Sequence, residues 1–521
     1  MRHWNVTDMR ALIEALHRVD AYPHAVARVE HIETHISHVL LAGELAYKLK
    51  KPLDLGFLDF STLARRKHCC EEEIRLNSRL APGIYLGVVA ITGTPEAPRI
   101  GGTGKAIEYA VKMRRFDQDC LLTRHQVTPE LADRIAERVA AFHQSIPAAP
   151  ADSAFGEPDA VLRPMAENFS QIRARLQDPD ALARIGRLET WTRRRHSELR
   201  PLITDRKRGG HVRECHGDMH RGNIALVNGE LVIFDGIEFS PGLRWIDTVS
   251  ELAFLVMDLE EAGEASPARR LLNRYLEIGG DYGGLRLLDF YKVYRAMVRA
   301  KVTAIRLGQP DVEPDEAVRD REELERYIAL AEGFTRGRPR RLCFTHGVSG
   351  SGKSVLARQL RERLPLIHIR SDLERKRLFG LGAGQRSGSG QDAGIYSEAA
   401  SERTYQRLRE LAEMILEAGY SPLVDATFLK VPHRRAFIHL AEQAGCPFTI
   451  LDCTAPPAML RERVAKRETE GRDPSEADLS VLAAQLASRD PLSDAERGSA
   501  LTVDTSRLDA LGVLLEQLPG V

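Results

Sequence analysis

Long apolar runs and ordered cysteine patterns are both missing from this sequence of 521 residues. No apolar run reaches the length of about 18 residues that a transmembrane helix needs, so we expect no membrane partner. The first ten residues, MRHWNVTDMR, contain no apolar segment and predict no signal peptide. The seven cysteines form no Cys-x-x-Cys pair. Their arrangement counts against a zinc site or a disulfide framework and favours a reducing cytoplasm.

The sequence also has no excess of basic or of acidic residues. The 74 basic and 74 acidic residues cancel to a formal net charge of zero, and aromatic residues make up only 6% of the chain. This balance counts against a chain that binds nucleic acids or membrane surfaces over much of its area. At roughly 100–200 residues per domain, the length predicts two or three domains. The sequence leaves the oligomeric state open.

The segment HGDMHRGN, at residues 216–223, has the spacing of a kinase catalytic loop. In such loops the aspartate, here Asp218, accepts the proton of the substrate hydroxyl, and the asparagine, here Asn223, holds Mg²⁺. Asp235 follows an apolar run at 231–234, as expected of a metal-binding aspartate at a strand end. The competing interpretation is a surface turn rich in histidine and aspartate. The motif predicts phosphoryl transfer with Mg²⁺ as a cofactor. ATP is the expected donor, and the sequence leaves GTP open as the donor in this half.

The form HGDxHxxN resembles that of the aminoglycoside phosphotransferase and choline kinase superfamily, whose fold is protein-kinase-like. The resemblance implies a bilobal kinase-like domain, with an N-lobe at residues 1–115 and a C-lobe at 116–333 that carries the catalytic loop. It also implies that Asp247 supports the catalytic loop and makes Glu238 a weaker site candidate. A short linker rich in Gly, Pro and Arg, at 334–341, follows this domain.

A β-hairpin is predicted from apolar strands at 36–41 and 45–50, and a lysine on the second strand is expected to contact the α- and β-phosphates of ATP. Lys48 and Lys50 share one face, because side chains alternate along a strand. The family pattern favours Lys50, which stands before a short basic-Pro segment, and Lys48 is the alternative. Both could instead be solvated lysines of an edge strand. The glycine-rich loop usual in kinases is absent, and residues 34–37 stand in its place.

A helix is predicted at 61–80, beginning at Ser61 or Thr62. In kinases a glutamate of this helix pairs with the strand lysine. Of the three glutamates at 71–73, Glu73 fits the family pattern best, so we expect it to take that role. The competing interpretation is a solvated acidic run.

The segment GVSGSGKS, at residues 347–354, lies between a predicted strand and a predicted helix and is a complete phosphate-binding loop. Its backbone N–H groups are expected to cradle phosphates, Lys353 to reach the β- and γ-phosphates, and Ser354 to bind Mg²⁺. The predicted nucleotide-binding residues are Gly347, Ser349, Gly350, Ser351, Gly352, Lys353 and Ser354.

Two carboxylates follow predicted strands in this half of the chain. Asp372 comes just after the strand at 366–369, and carboxyl ends of parallel strands face the binding crevice. We therefore expect Asp372 to orient and deprotonate an acceptor hydroxyl, with Arg375 neutralising phosphate charge. Asp425 ends a second strand and is a candidate for the Mg²⁺ shell or for the acceptor.

Arg463 and Arg467 lie one turn apart on one face of a predicted basic helix. They are expected to close over the phosphates together with a lid-like segment at 468–478. The competing interpretation is a pair of salt-bridged surface arginines. Residues 380–394 are rich in Gly and Ser, and we interpret them either as an acceptor-side loop or as a linker.

The second half, at 342–521, resembles the small P-loop kinases, a group that includes gluconate kinase, zeta-type toxins and polynucleotide 5′-kinases. The Asp372-x-x-Arg375 spacing is shared with polynucleotide kinases. The whole chain therefore looks like a fusion of two kinase domains. Its expected fold class is α/β and α+β multidomain: a protein-kinase-like bilobal domain, then a P-loop domain with a doubly wound parallel sheet and flanking helices.

These features predict a bifunctional ATP-dependent phosphotransferase. Each domain is expected to transfer the γ-phosphate to a hydroxyl group of a small metabolite, with sugar-like acceptors favoured. One alternative is a polynucleotide 5′-hydroxyl kinase in the second half, which would make nucleic acid a partner. Another is a regulatory switch that binds ATP with little turnover. The balanced charge counts against the first alternative, and the base and metal ligands of both halves count against the second.

Overall fold

The computed structural model describes residues 6–518, except 55, 57, 310–312, 383, 390–392 and 471–474. The described residues form two compact units. The first comprises Met1–Val127, Ala141–Leu259 and Tyr294–Ile328, and the second comprises Thr128–Ala140, Glu260–Val293 and Ala329–Val521. The segment Glu260–Val293, which the sequence places in the kinase-like C-lobe, thus belongs to the second unit. The domain boundaries inferred from the sequence stay a prediction.

The strands fall into one antiparallel sheet near the start of the chain, two small two-stranded pairs in its middle and one parallel sheet near its end. The described strands are β1 (Val29–Glu33), β2 (Ser37–Ala42), β3 (Leu45–Lys50), β4 (Tyr85–Thr94), β5 (Ala97–Ile100), β6 (Ala106–Arg114), β7 (Val212–Glu214), β8 (Ile224–Val227), β9 (Glu230–Ile233), β10 (Trp245–Asp247), β11 (Leu342–His346), β12 (Leu366–Arg370), β13 (Ser421–Asp425), β14 (Phe448–Thr454) and β15 (Ala500–Asp504).

Helices occupy most of the remaining chain. The described helices are α1 (Val6–Leu16), α2 (Leu63–Asn77), α3 (Pro129–Ser145), α4 (Pro158–Arg173), α5 (Pro179–Arg208), α6 (Pro241–Arg244), α7 (Thr248–Glu261), α8 (Ala265–Gly279), α9 (Leu285–Leu307), α10 (Pro314–Phe334), α11 (Lys353–Arg363), α12 (Ser371–Leu378), α13 (Glu398–Glu417), α14 (Val431–Gln443), α15 (Pro457–Glu470), α16 (Leu479–Ser488), α17 (Asp494–Arg497) and α18 (Ala510–Gln517).

Within the described part of the chain, no helix combines the length and the apolarity needed to cross a membrane. The expected cytoplasmic location stays a prediction. Residues 383 and 390–392 of the Gly/Ser-rich segment, and 471–474 of the lid-like segment, lie outside the described residues.

The first unit contains a six-stranded sheet in the order β1-β2-β3-β6-β4-β5, with antiparallel neighbours throughout. Tyr47 and Leu49 of β3 are fully buried and pack in one apolar cluster with Leu12 and Leu16 of α1. Because side chains alternate along a strand, Lys48 and Lys50 point to the opposite face of the sheet. The predicted hairpin of β2 and β3 therefore separates an apolar face from a charged one.

Strand β5 contains Pro98, a residue that is unfavourable inside a sheet. In the structure β5 is an edge strand, paired only with β4. Proline is tolerated at a sheet edge because no partner there needs its missing N–H group. The strand therefore forms despite an unfavourable sequence.

Helix α7 lies at the centre of the helical part of the first unit. Every side chain from Thr248 to Leu259 is buried. A helix that is buried all round needs partners for its charged residues. Glu251 and Asp258 both have them, Glu251 on the backbone of residues 216–217 and Asp258 on Arg221.

The second unit contains a five-stranded parallel sheet in the order β12-β13-β11-β14-β15. All residues of β11, β12 and β13 are buried. Strands buried on both faces are typical of parallel sheets covered by helices on each side. The chain order reverses beside β11, and such switch points are where open α/β sheets bind ligands.

The outer edge of strand β12 is covered by helix α8. The Asn273 side chain of α8 accepts a hydrogen bond from the backbone N–H of His368 (2.7 Å) and donates one to the carbonyl of Leu366 (3.0 Å). An uncovered edge would leave such groups unpaired and open to other strands. The Asn273 side chain thus forms hydrogen bonds with the backbone of β12 as a neighbouring strand would.

We expect the Asn273→Ala substitution to destabilise the protein by about 1–3 kcal/mol, because it leaves a buried donor and a buried acceptor without partners. Thermal and urea unfolding of the full chain would measure the loss. The matched control is Ser266→Ala, since Ser266 is exposed on the same helix and is expected to change stability by less than about 0.5 kcal/mol. Equal transition midpoints for the two variants would contradict this account of the sheet edge.

Candidate active sites

The catalytic loop predicted at 216–223 lies between β7 and β8 in the first unit. The Asn223 side-chain amide donates to the Asp218 carboxylate (3.1 Å) and to the Asp218 carbonyl (2.9 Å). His220 Nε2 lies 3.4 Å from the same carboxylate oxygen, and its Nδ1 accepts from the backbone N–H of Gly222. The structure thus brings the predicted base and the predicted metal-binding asparagine together.

The electrostatic surroundings keep Asp218 ionised. Burial alone would raise the pKa of this carboxyl, but His220, His216 and Arg299 outweigh it and hold the pKa well below its usual range. An ionised carboxylate of this kind is a weak base. Phosphoryl transfer through a loose transition state asks mainly for positioning of the acceptor, so a weak base is sufficient.

Glu251 of helix α7 fixes the start of the catalytic loop. Its Oε1 accepts hydrogen bonds from the backbone N–H groups of His216 and Gly217, both at 2.7 Å, and its Oε2 contacts His143 at 2.8 Å. Arg295 donates to the Gly217 carbonyl at 2.9 Å. Sequence reasoning missed Glu251, because nothing in its local sequence distinguishes it from a surface glutamate.

The described side-chain contacts of Asp247, the residue expected to support the catalytic loop, lie outside that loop. Asp247 forms a two-point ion pair with Arg206 (2.6 and 2.8 Å) and caps α7 through the backbone N–H of Val249. It is structural, as expected, but the carboxylate that holds the loop is Glu251.

Asp235 follows β9 and has a φ of +63°, a left-handed conformation that is unusual for a residue with a side chain. Its backbone N–H donates to the Tyr85 hydroxyl (3.0 Å), and the next N–H, of Gly236, donates to Asn77 (2.7 Å). Strained backbone that is held by its surroundings in this way is typical of functional positions.

Two lysines and three carboxylates meet on the charged face of the first sheet. Lys48 Nζ lies 2.5 Å from Asp235 and 3.0 Å from Glu73, whereas Lys50 Nζ lies 2.6 Å from Glu73 and also pairs with Glu238. The Lys50 side chain is fully enclosed, and 12% of the Lys48 side chain remains exposed. Of the three glutamates at 71–73, Glu73 is the one that both lysines reach.

The pKa values of the two buried glutamates, Glu73 and Glu238, shift in opposite directions. Burial would raise the pKa of Glu73, but Lys48 and Lys50 outweigh burial and lower it. For Glu238 burial dominates over the attraction of Lys50, and its pKa is raised. Sequence reasoning gave Glu238 only a weak role, and its ion pair with Lys50 connects positions 188 residues apart.

The residues of the first site suit Mg²⁺. Asn223 uses its amide nitrogen on Asp218, so its oxygen is the atom left to bind a cation. Asp235 offers carboxylate oxygens from a strained position. Carboxylate and carbonyl oxygens are the ligands that this hard cation prefers.

The phosphate-binding loop of the second unit joins β11 to α11. Gly350 has a φ of +80°, and a Cβ atom there would lie 2.7 Å from the carbonyl oxygen of Leu460. Only glycine fits this position without movement of the backbone. The loop thus takes the tight course that lets backbone N–H groups surround a phosphate.

Lys353 is buried at the base of this loop. Its described hydrogen bonds go to neutral oxygens, the Val348 carbonyl (2.8 Å) and the Ser351 hydroxyl (3.4 Å). Burial lowers the pKa of its ammonium group. Asp425 and Asp372 also attract this ammonium group, and the phosphates of ATP would add an anion beside it.

Asp425 lies at the end of β13 and is also buried. Burial would raise the pKa of its carboxyl, but His368, Arg370 and a hydrogen bond from Ser354 lower it to about 2. His368 Nε2 lies 3.4 Å from Asp425 Oδ2. Ser354 and Asp425 together offer the hydroxyl and carboxylate oxygens that suit Mg²⁺ at a phosphate-binding loop.

The predicted arginines are engaged with protein oxygens. Arg375 donates to the Ile395 carbonyl (2.6 Å), and its guanidinium group lies 5.2 Å from the centre of the Tyr396 ring. Arg463 donates to Thr505 and to the Gly350 carbonyl of the phosphate-binding loop, and Arg467 donates to the Ala477 carbonyl. The salt-bridged surface pair, the competing interpretation, is not what these contacts describe.

A cavity of about 1650 Å³ within the second unit collects most of the residues predicted for this site. Its lining includes Ser349, Gly350, Gly352, Lys353, Ser354, Asp372, Arg375, Asp425, Arg463 and Arg467. Sequence reasoning missed Gln485, whose side chain accepts from the backbone N–H of Ser349 (2.7 Å). No local pattern marks that glutamine.

Two known families match the chain. The family described as "Phosphotransferase enzyme family" matches residues 107–288, which include Asp218, Asn223 and Asp235. The family described as "AAA domain" matches residues 342–492, which include the phosphate-binding loop, Asp372 and Asp425. These matches confirm the predicted resemblance of the two halves and the predicted fold class.

Two mycobacterial proteins are similar to nearly the whole chain. They are the uncharacterized proteins Rv2004c of Mycobacterium tuberculosis and Mb2027c of Mycobacterium bovis. Each is 32% identical over 465 residues, which cover 88% of this chain and 90% of the relative. The similarity therefore extends across both halves.

Solved structures resemble parts of the chain only distantly. A sugar kinase from Janibacter is 21% identical, covering 34% of this chain and 91% of that chain, with a TM-score of 0.26. A choline/ethanolamine kinase family protein from Mesorhizobium loti is 13% identical, covering 62% and 99%, with a TM-score of 0.36. At TM-scores this low, the two likenesses imply nothing further for this chain.

Proposed function

Because the chain belongs to the same family as these mycobacterial proteins and is an ATP-dependent phosphotransferase, we propose that it is bifunctional, with a separate phosphoryl-transfer site in each half. Each site would transfer the γ-phosphate of ATP to a hydroxyl group of a small metabolite, with sugar-like acceptors favoured. The observation that supports the proposal is that each half brings together a carboxylate that is a candidate base, oxygen atoms that suit Mg²⁺ and a lysine that is a candidate for contacting the phosphates. A half that only bound nucleotide would not need the base.

At the first site, Asp218 would orient the acceptor hydroxyl and accept its proton as the new oxygen–phosphorus bond forms. The contact with His220 keeps this carboxylate ionised and in place. Glu251 supports the step by holding the backbone of the loop that carries Asp218. Mg²⁺ held by Asn223 and Asp235 would neutralise phosphate charge.

We propose Lys48, rather than Lys50, as the lysine that steadies the phosphates of ATP at the first site. Lys48 contacts the metal-binding candidate Asp235 and keeps an exposed fraction, whereas Lys50 is enclosed by Glu73 and Glu238. The pairing of Lys48 with Glu73 is the pairing that kinases use to hold this lysine. Lys50 would instead fix Glu73 and Glu238 in position.

At the second site, the backbone of the phosphate-binding loop and Lys353 would hold the phosphates, and Ser354 and Asp425 would hold Mg²⁺. Asp372 would act as the base for the acceptor hydroxyl. Arg375, Arg463 and Arg467 would stabilise the transferring phosphoryl group, exchanging their present protein contacts for phosphate oxygens. The cavity exceeds the roughly 300–1,000 Å³ of an ordinary ligand pocket, which suits ATP together with an acceptor.

The test is ATP consumption by wild type, Asp218→Asn and Lys353→Ala against sugars, aminoglycosides and oligonucleotides with 5′-hydroxyl ends. For each acceptor that stimulates ATP consumption, we expect turnover to fall at least about 100-fold in one of the two variants and to persist in the other. The size of the fall follows from the contribution of a positioned base, which is about 10²–10⁴-fold. Asp218→Asn should keep its ATP binding, because the proposed role of Asp218 is to contact the acceptor and not the nucleotide.

The matched controls are Asp152→Asn and Lys105→Ala, which alter exposed residues of the same types. Both should retain wild-type turnover. Turnover that is independent of every acceptor and unchanged in both site variants would overturn the proposal and favour a regulatory switch. Turnover with the oligonucleotides alone would overturn the choice of small metabolites.

The roles of Lys48 and Lys50 can be compared with the same substitution, since the two lysines lie two residues apart on one face of β3. In a Lys353→Ala background, Lys48→Met should weaken ATP binding about tenfold or more, the effect of losing one charge-assisted contact worth about 1.5–3 kcal/mol. Lys50→Met should chiefly lower thermal stability, because breaking a buried ion pair costs about 3–5 kcal/mol. Weak ATP binding in Lys50→Met, with normal binding in Lys48→Met, would reverse the assignment.

A further inference from the structure

Three potential metal ligands meet at the tip of the hairpin formed by β1 and β2. Glu33 of β1 stands directly opposite His38 of β2, and His31 lies two residues before Glu33. Alternation along the strands places all three side chains on one face. Their ligand atoms lie within 4.8 Å of one another, and His31 Nε2 is 3.0 Å from His38 Nδ1.

We propose that His31, Glu33 and His38 bind a divalent transition metal ion such as Zn²⁺. Imidazole nitrogens and a carboxylate oxygen are donors that Zn²⁺ takes in proteins. Two ligands at about 2.0–2.1 Å from a tetrahedral ion stand about 3.3 Å apart. The two ring nitrogens are therefore already close to the separation that the metal requires, and a small rotation of Glu33 completes three ligands.

A lysine and a further histidine lie beside the cluster, and both would affect how a metal ion binds there. Lys51 Nζ lies 2.6 Å from Glu33 Oε1, so Lys51 competes with the metal for this carboxylate. The His17 ring lies 5.6 Å from the His31 ring, edge to face, and is the nearest further imidazole to the cluster among the described ring contacts. With three protein ligands bound, the fourth position of the ion is left for His17 or for water.

The two histidine rings are joined by a hydrogen bond between His31 Nε2 and His38 Nδ1, at 3.0 Å. One of these two nitrogens therefore carries a proton, and the ring that carries it must take its other tautomer before both nitrogens can bind the metal. The metal ion would replace this hydrogen bond as the link between the two rings.

The proposed metal site is distinct from the first candidate active site. Ser37 and Val39 of β2 pair with Lys50 and Lys48 of β3, and His38 alternates with them. His38 therefore lies on the opposite face of the sheet from these lysines. A metal ion there would join the two strands at the turn that stands where kinases carry a glycine-rich loop, and would stiffen it without touching the nucleotide lysines.

The test is Zn²⁺ binding to the full chain after EDTA treatment, by calorimetry in the presence of excess Mg²⁺, with Co²⁺ absorption as a report of tetrahedral ligands. We expect one Zn²⁺ per chain at this site. The His31→Ala, His38→Ala double variant should lose at least about 100-fold in affinity, since even partners of metal ligands contribute 10–100-fold. His439→Ala is the control, because His439 is an exposed histidine of α14.

Two single variants test the site without disturbing the fold, because they change partly exposed side chains. Glu33→Gln should weaken Zn²⁺ binding, and Lys51→Ala should strengthen it by releasing Glu33. Melting temperatures measured in EDTA should be alike for wild type and these two single variants. The proposal is overturned if Zn²⁺ binds the double variant as tightly as wild type, or if Glu33→Gln and Lys51→Ala both leave the affinity unchanged.

Discussion

Charged groups removed from water must be paired, and the first half of this chain is organised by that requirement. Glu73 is shared by Lys48 and Lys50, and these lysines also reach Asp235 and Glu238. The arrangement ties strand β3, helix α2 and the segment after β9 to one another. Removal of a single partner would leave a buried charge uncompensated, which is costly. The candidate active site can therefore keep a strained Asp235 without losing its shape.

The second half meets the same requirement differently. Lys353 donates its described hydrogen bonds to neutral oxygens and is attracted by Asp425, which His368 and Ser354 hold in turn. A phosphate would add an anion in direct contact with this cation. Buried ion pairs occur in the second half as well, such as Arg434 with Glu496, whereas the described hydrogen bonds of Lys353 go to neutral oxygens and a phosphate would be its contacting anion.

The local motifs could be predicted from sequence because their geometry depends on neighbouring residues. The spacing from Asp218 to Asn223 and the course of residues 347–354 are set by a few backbone angles. Residues that come from distant segments could not be predicted. Glu251 and Asn273 act across long sequence separations, and the preference between Lys48 and Lys50 depends on Glu238, which only the folded chain brings near.

The domain boundaries, too, depend on contacts between segments that are distant in the sequence. The family resemblance placed residues 116–333 in one kinase-like C-lobe but could not tell which sheet each helix of that segment would pack against. The described structure groups Glu260–Val293 with the parallel sheet, where Asn273 completes the edge of β12. Packing of that kind leaves no mark on the pattern of apolar residues.

The most direct test of two separate phosphoryl-transfer sites is the number of nucleotides bound per chain. Equilibrium binding of a non-hydrolysable ATP analogue with Mg²⁺ would count them in wild type and in Lys353→Ala. The account predicts two nucleotides per wild-type chain and one in the variant. A single nucleotide in wild type that is lost in Lys353→Ala, or an unchanged count in the variant, would contradict it.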